Sequence, residues 1–251
     1  MIRFLTLALL TIPLSFSQTP SALVPSAAPT AEAILDHFIE VTGGKTAYER
    51  VTSQIMEGTM TMSEMGISGT LKRYAAPPNF EYSAVEFGPI GRFETGVYNG
   101  VAWEKNVIAG ARIKNGSEKD QALRTAEFHA PTQWRNIYQT VELAGTESVE
   151  GEECYKLNLT PKTGGVETQY YSKQSGLLRK TVVTVTGPMG EVEAEAVVLE
   201  YKTVNRIMFP VRIRQKTGPA SIELTIIQIQ LNDPIPAQQF EPPADVRALM
   251  K

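Results

Sequence analysis

Gln54-Ile55-Met56-Glu57-Gly58-Thr59-Met60-Thr61-Met62 alternates inward and outward side chains along its length, with Met56, Gly58, Met60 and Met62 on one face and Glu57, Thr59 and Thr61 on the other. A period of two is that of a strand with one buried and one solvated face. Outward from this stretch the same pattern recurs at 67–75, 80–87, 92–98 and 101–107, and again at 141–149, 154–159, 167–172, 177–186, 191–201, 211–216 and 221–231. Asn99-Gly100 marks a tight hairpin, because a two-residue turn with both central residues at positive φ favours that dipeptide. Short strands joined by Gly, Pro and Asn turns predict one antiparallel sheet of about eleven strands, curved so that one face must be covered.

Two stretches break the alternation. Thr30 is a good N-cap, Glu32 sits in the first turn, and Ile34, Leu35, Phe38 and Ile39 form an apolar stripe that stops at Gly43-Gly44, which predicts a helix. Ser117 with Asp120 suggests a capping box before Ala122, Leu123 and Ala126, and Pro131 opens a second segment carrying Trp134, Ile137 and Tyr138. The expected fold is therefore α+β: a strongly curved incomplete β-barrel, with the N-terminal helix and a helical hairpin over 117–138 covering its concave face. A hairpin attached by loops can swing without breaking strand pairs, with Trp134 as its apolar anchor.

Arg3 precedes an uncharged stretch over 4–16 that is too short to span a bilayer, and Ser15 and Ser17 supply small residues at a cleavage site. Residues 1–17 read as a secretory signal peptide, which places the chain in the periplasm. Residues 18–29, QTPSALVPSAAP, read as a flexible tether, and 30–251 as a single domain. Without Arg3 the basic residues fall from 24 to 23 against 27 acidic ones, a net charge of −4. That balance gives no reason to expect nucleic acid. Cys154 is the one cysteine, so no intrachain disulfide forms.

Methionine adapts to irregular apolar surfaces, so the Met row suits a wall around a variable apolar ligand, and it equally suits a packed core. Val192, Ala194, Ala196 and Val198 alternate with Glu191, Glu193 and Glu195, leaving small side chains where a helix could lie close. The candidate ligand contacts are Met56, Met60, Met62, Leu71, Phe93, Trp103, Phe128, Trp134, Ile137 and Tyr138, with an apolar pocket expected among Met60, Leu71, Phe93 and Trp103. Catalysis is not expected. His37, on the first helix, and His129, between the inserted segments, are the two histidines, and neither pairs with Cys154 at ligand or triad spacing. Alternating Glu residues on strands read as a solvated face, and Gly187-Pro188-Met189-Gly190 as a turn. No catalytic residue, metal or cofactor is assigned.

In order along the chain, the N-terminal helix, Gly69-Thr70-Leu71-Lys72-Arg73 running to Pro78-Asn79-Phe80, Asn99-Gly100 followed by Trp103, and Phe240-Glu241-Pro242-Pro243-Ala244-Asp245-Val246 resemble the LolA/LolB-like periplasmic carriers of outer-membrane lipoproteins. The resemblance covers nearly the whole exported chain and rests on order and spacing. It implies an incomplete barrel over an apolar cavity, a lipid or acylated lipoprotein as cargo, and a membrane-associated donor or acceptor protein. A monomer is expected. One departure stands out: the lipoprotein carrier has an Arg just before the Pro of the Pro-Asn segment, implicated in cargo release, whereas here Pro77 precedes Pro78. Arg73 lies earlier and does not inherit that role, and the long insertion points to a branch with its own cargo. The alternative is an envelope regulatory or protein-interaction module on the same fold, which would not copurify with extractable lipid.

Overall fold

The computed structural model describes residues 28–187 and 190–250. The expected signal peptide over 1–17, residues 18–27 of the expected tether, Pro188-Met189 and Lys251 lie outside the described residues. Helices α1 (Ala31–Val41) and α2 (Lys45–Glu49) come first. Six strands follow: β1 (Gln54–Met62), β2 (Ile67–Ala76), β3 (Phe80–Glu86), β4 (Arg92–Tyr98), β5 (Val101–Asn106) and β6 (Gly110–Ile113). An insertion holds α3 (Gly116–Thr125), a 3-10 turn (Ala130–Gln133) and the single turn α4 (Trp134–Ile137). The second run is β7 (Tyr138–Val149), β8 (Glu152–Pro161), β9 (Glu167–Ser172), β10 (Leu178–Gly187), β11 (Gly190–Val204), β12 (Ile207–Thr217) and β13 (Ala220–Leu231), closed by α5 (Ala244–Leu249). No helix of the described residues is long and apolar enough to cross a membrane.

All strands join one curved antiparallel sheet in the order β6-β5-β4-β3-β2-β1-β13-β12-β11-β10-β9-β8-β7. The first and last strands pair in the middle, from Gln54 opposite Leu231 to Thr61 opposite Glu223. Its two edges, β6 and β7, are neighbours in sequence, and the insertion runs from one to the other. The sheet is thus an open barrel whose seam is bridged by the insertion.

Among the described residues thirteen strands form where about eleven are expected from periodicity. β6 is too short to show a period, and β12 starts before Pro210. That proline is tolerated because β12 there pairs only with β11, through Tyr201, and pairing with β13 begins at Arg212. The expected helical hairpin is also corrected. α3 starts at Gly116 with Asn115 as N-cap, ahead of the expected Ser117 cap, and Pro131 confines the second limb to two short turns. Tyr138 leaves the helix to pair with Pro161 as the first residue of β7.

Register sorts the faces, since residues directly opposite across a ladder share one. Met56 lies between Arg73 and Ile229, and Met60 between Gly69 and Leu224, on the inner face that the helices cover. There Ile34 and Leu35 of α1 pack with Trp134, Leu157, Leu159 and Tyr171. Ala122, Leu123 and Ala126 of α3 pack on Val97 and Ala102. Tyr82, Ala84 and Trp103 belong to the outer face, under Phe240 and Val246 of the C-terminal segment. Cys154 is fully buried beside Val149 and Tyr170, and burial pushes its thiol up, as suits an inert group.

Gly58 sits at the irregularity between β1 and β13, where an added Cβ would lie 2.1 Å from the Thr225 carbonyl oxygen and 3.0 Å from Ile226 Cα. Gly58→Ala should therefore destabilise the fold by about 1–3 kcal/mol, the range for overpacking. Urea denaturation followed by circular dichroism checks this, and an unchanged midpoint would show that the central ladder yields freely.

Candidate functional site

The inner face is not filled everywhere. Between α1, the insertion and the strands lies a cavity of about 420 Å³, within the size range of pockets that take small apolar ligands. Leu35 and Phe38 form one wall, Phe128, Trp134 and Ile137 another, and Met56 the sheet side. α1 reaches it because its apolar stripe faces the sheet and its first turn is fixed by the Thr30 hydroxyl, which accepts from the Ala33 amide at 3.2 Å. Phe38 meets Tyr171 edge to face, with centroids 5.4 Å apart.

Polar contacts hold the insertion over the seam. The Asp36 carboxylate of α1 accepts from both terminal nitrogens of Arg135, at 2.9 and 2.7 Å, and from Trp134 Nε1 at 3.1 Å. The Arg135 guanidinium lies 3.9 Å from the centre of the Trp134 ring. His129 Nε2 is 3.1 Å from the Val51 carbonyl oxygen. Arg112 of β6 grips Glu118 of α3 through both carboxylate oxygens, and Arg124, near the end of α3, donates to the Thr163 carbonyl at 2.9 Å.

The cavity also has a polar side. Glu167, 7 % exposed, accepts from the Tyr138 hydroxyl and from Gln169 Nε2 at 2.9 Å, and pairs with Arg124 at 3.8 Å. The Tyr171 hydroxyl donates to Gln169 Oε1. Burial, then the adjacent Glu167 charge, pushes Tyr138 far above the usual phenol value, and burial does the same to Tyr171, so both act as neutral donors. Arg73 donates to Gln54 Oε1 at 3.0 Å and to Glu81 Oε2 at 2.9 Å.

Of the candidate contacts, Met56, Phe128, Trp134, Ile137 and Tyr138 line this cavity. Met60, Met62, Leu71 and Phe93 share the inner face but pack with Val85, Phe87, Val211 and Ile226, along neighbouring strands. Met56 packs there too, so the apolar interior runs without a break from that cluster to the cavity. Trp103 is placed elsewhere. Its partner in register is Gly96, itself opposite Tyr82 and then Tyr74, the outer-face row, and it is fully buried under the C-terminal segment. The pocket expected among Met60, Leu71, Phe93 and Trp103 is thus displaced toward α1 and the insertion. Arg124, Glu167, Gln169 and Tyr171 were not anticipated, because inward Glu and Gln on a strand carry the same sequence signal as a solvated face. His37 stays on the exposed side of α1, near Glu40.

No family model and no curated protein matches the chain. Solved structures match it by fold. A DUF1329 family protein from Desulfovibrio piger is 15% identical with a TM-score of 0.58, over 85% of this chain and 98% of that one. A LolA superfamily protein from Nitrosomonas europaea is 13% identical with a TM-score of 0.57, over 86% and 99%. A candidate outer membrane lipoprotein-sorting domain from Vibrio parahaemolyticus is 12% identical with a TM-score of 0.53, over 82% and 97%. The chain has the LolA-like fold, and at these identities the likeness is one of fold.

Arg135 holds the Asp36 carboxyl below its ordinary value of 3.8. A depressed folded-state value adds stability that is present above the unfolded value and lost as pH falls through the folded one. The pair is half exposed, so solvent screens it and its contribution is small. Asp36→Asn should lower the melting temperature at pH 7 and flatten the decline below about pH 4. Melting curves between pH 3 and pH 7 check this, and identical curves for the two proteins would remove the contact from the forces holding the insertion.

Proposed function

We propose that this chain is a noncatalytic carrier, exported to the periplasm, that holds the apolar part of a lipid or of a lipoprotein's acyl chains between α1 and the insertion. The observation that carries the reading is an unfilled apolar cavity whose cover is joined to the rest of the molecule by limited apolar packing together with hydrogen bonds and ion pairs. Because β6 and β7 are the two sheet edges, the insertion can move away without breaking any strand pair. The LolA-like fold supports the same reading, since the relatives that share it include a candidate lipoprotein-sorting domain.

Ten buried methylenes supply roughly 8 kcal/mol at about 0.8 kcal/mol each, and an association cost of at least about 4 kcal/mol leaves at most about 4 kcal/mol, a millimolar affinity. Tighter binding needs a second or longer acyl chain, or polar contacts at its head. The walls formed by Phe38, Phe128, Trp134 and Ile137 take the chain, and a membrane-associated donor or acceptor protein exchanges it.

The test begins with solvent extraction of the protein purified from the cell envelope, in which mass spectrometry should find lipid or lipopeptide. A neutral apolar dye should then titrate into one site of the delipidated protein. Phe38→Arg places a charge on the apolar wall and should weaken the dye at least about ten-fold. An empty extract together with no dye binding would sink the carrier reading.

A further inference from the structure

Charge inside the cavity is already balanced. Two guanidinium groups line it, Arg73 and Arg124, with two carboxylates, Glu127 and Glu167, and no lysine is among the described lining residues. Neither guanidinium is free. Arg73 is engaged by Glu81 at 2.9 Å and Gln54 at 3.0 Å, and Arg124 by the Thr163 carbonyl at 2.9 Å and Glu167 at 3.8 Å. His129 is engaged by the Val51 carbonyl oxygen. An entering carboxylate or phosphate would add a negative charge to a set that already balances, and would have to share a guanidinium with Glu167 or Glu81 in a water-poor space, which is unfavourable.

An uncharged polar group meets no such obstacle. The chain formed by Tyr138, Gln169 and Tyr171 offers neutral donors and an acceptor. Gln169 Nε2 lies 2.9 Å from Glu167 Oε1 and 3.4 Å from the Tyr138 hydroxyl, so an ester or amide carbonyl can take the weaker of these bonds without moving a charge. Resting on the carrier reading, we infer that the cavity selects a ligand whose buried part is uncharged, an esterified or amidated acyl chain in preference to a free fatty acid. Glu167, by occupying Arg124, and Glu81, by occupying Arg73, set that preference. The chemistry is shared by a glyceride and by an acylated cysteine.

Displacement of a bound neutral dye at pH 8 tests this, with laurate, monolaurin and a diacylated cysteinyl peptide as competitors. Wild-type protein should prefer monolaurin over laurate by at least about ten-fold. Intrinsic hydrophobicity favours the ester in any apolar site, so the decisive readout is the change in that ratio. Glu167→Gln keeps the shape of the side chain and relieves Arg124 of its counter-charge, and should improve laurate relative to monolaurin at least about ten-fold. Glu81→Gln frees Arg73 and serves in the same way should the first variant fold poorly. A stronger effect of the diacylated peptide than of monolaurin assigns the cargo to lipoproteins, the reverse assigns it to free lipid, and either supports the inference when laurate lags. Equal wild-type affinity for laurate and monolaurin, or a ratio unmoved in both variants, overturns the inference with the carrier reading intact. Failure of the dye to bind at all overturns both.

Discussion

Pairing of the first strand with the last is the constraint on which the molecule depends. Because β1 and β13 meet at the centre of the sheet, the chain spreads outward from them in two opposite runs and ends with its edges at β6 and β7. Those edges carry the unsatisfied backbone groups of the sheet. Joining them through a segment with only short helices leaves the barrel open at one seam, and the cavity lies against that segment. The close approach at Gly58, which brings the two backbones together at the central ladder, is part of the same constraint.

Unequal strength follows from this arrangement. The ladders and the buried clusters around Leu157, Leu71 and Trp103 rest on extensive apolar burial. The insertion has a smaller share of that burial, through Trp134 and Ala126, and otherwise depends on Asp36–Arg135, His129–Val51, Arg112–Glu118 and Arg124–Glu167. An exposed pair such as Asp36–Arg135 is weakly held, and little apolar burial backs it, so on the carrier reading the cover is the segment expected to open first. Closure, in turn, removes water from the Arg124–Glu167 pair and makes the cavity's charge balance matter for what enters.

Much of the fold was legible in the sequence because a half-buried strand writes its period directly. The Met row, the α1 stripe and the Asn99-Gly100 turn, whose two residues both adopt positive φ at 48° and 74°, needed no long-range information. Three things were hidden for physical reasons. β6 is too short for a period to emerge. Trp103 is apolar in a strand covered on both faces, where alternation no longer tells inside from outside. Glu167 and Gln169 look solvated by residue type, and only the fold of β9 beneath Arg124 and Tyr138 buries the first and half-buries the second. The α4 turn was legible in composition but not in extent, since pairing of Tyr138 with β8 outweighed the helical spacing that included it.

Hydrogen exchange across the whole chain, with and without a saturating neutral acyl ester, measures the central claim most directly. The account requires exchange within 116–137 to slow on binding while the central β1 and β13 amides stay as protected as before. Protection of the insertion that does not change between the empty and loaded protein would contradict it, and would make the segment a fixed part of the core.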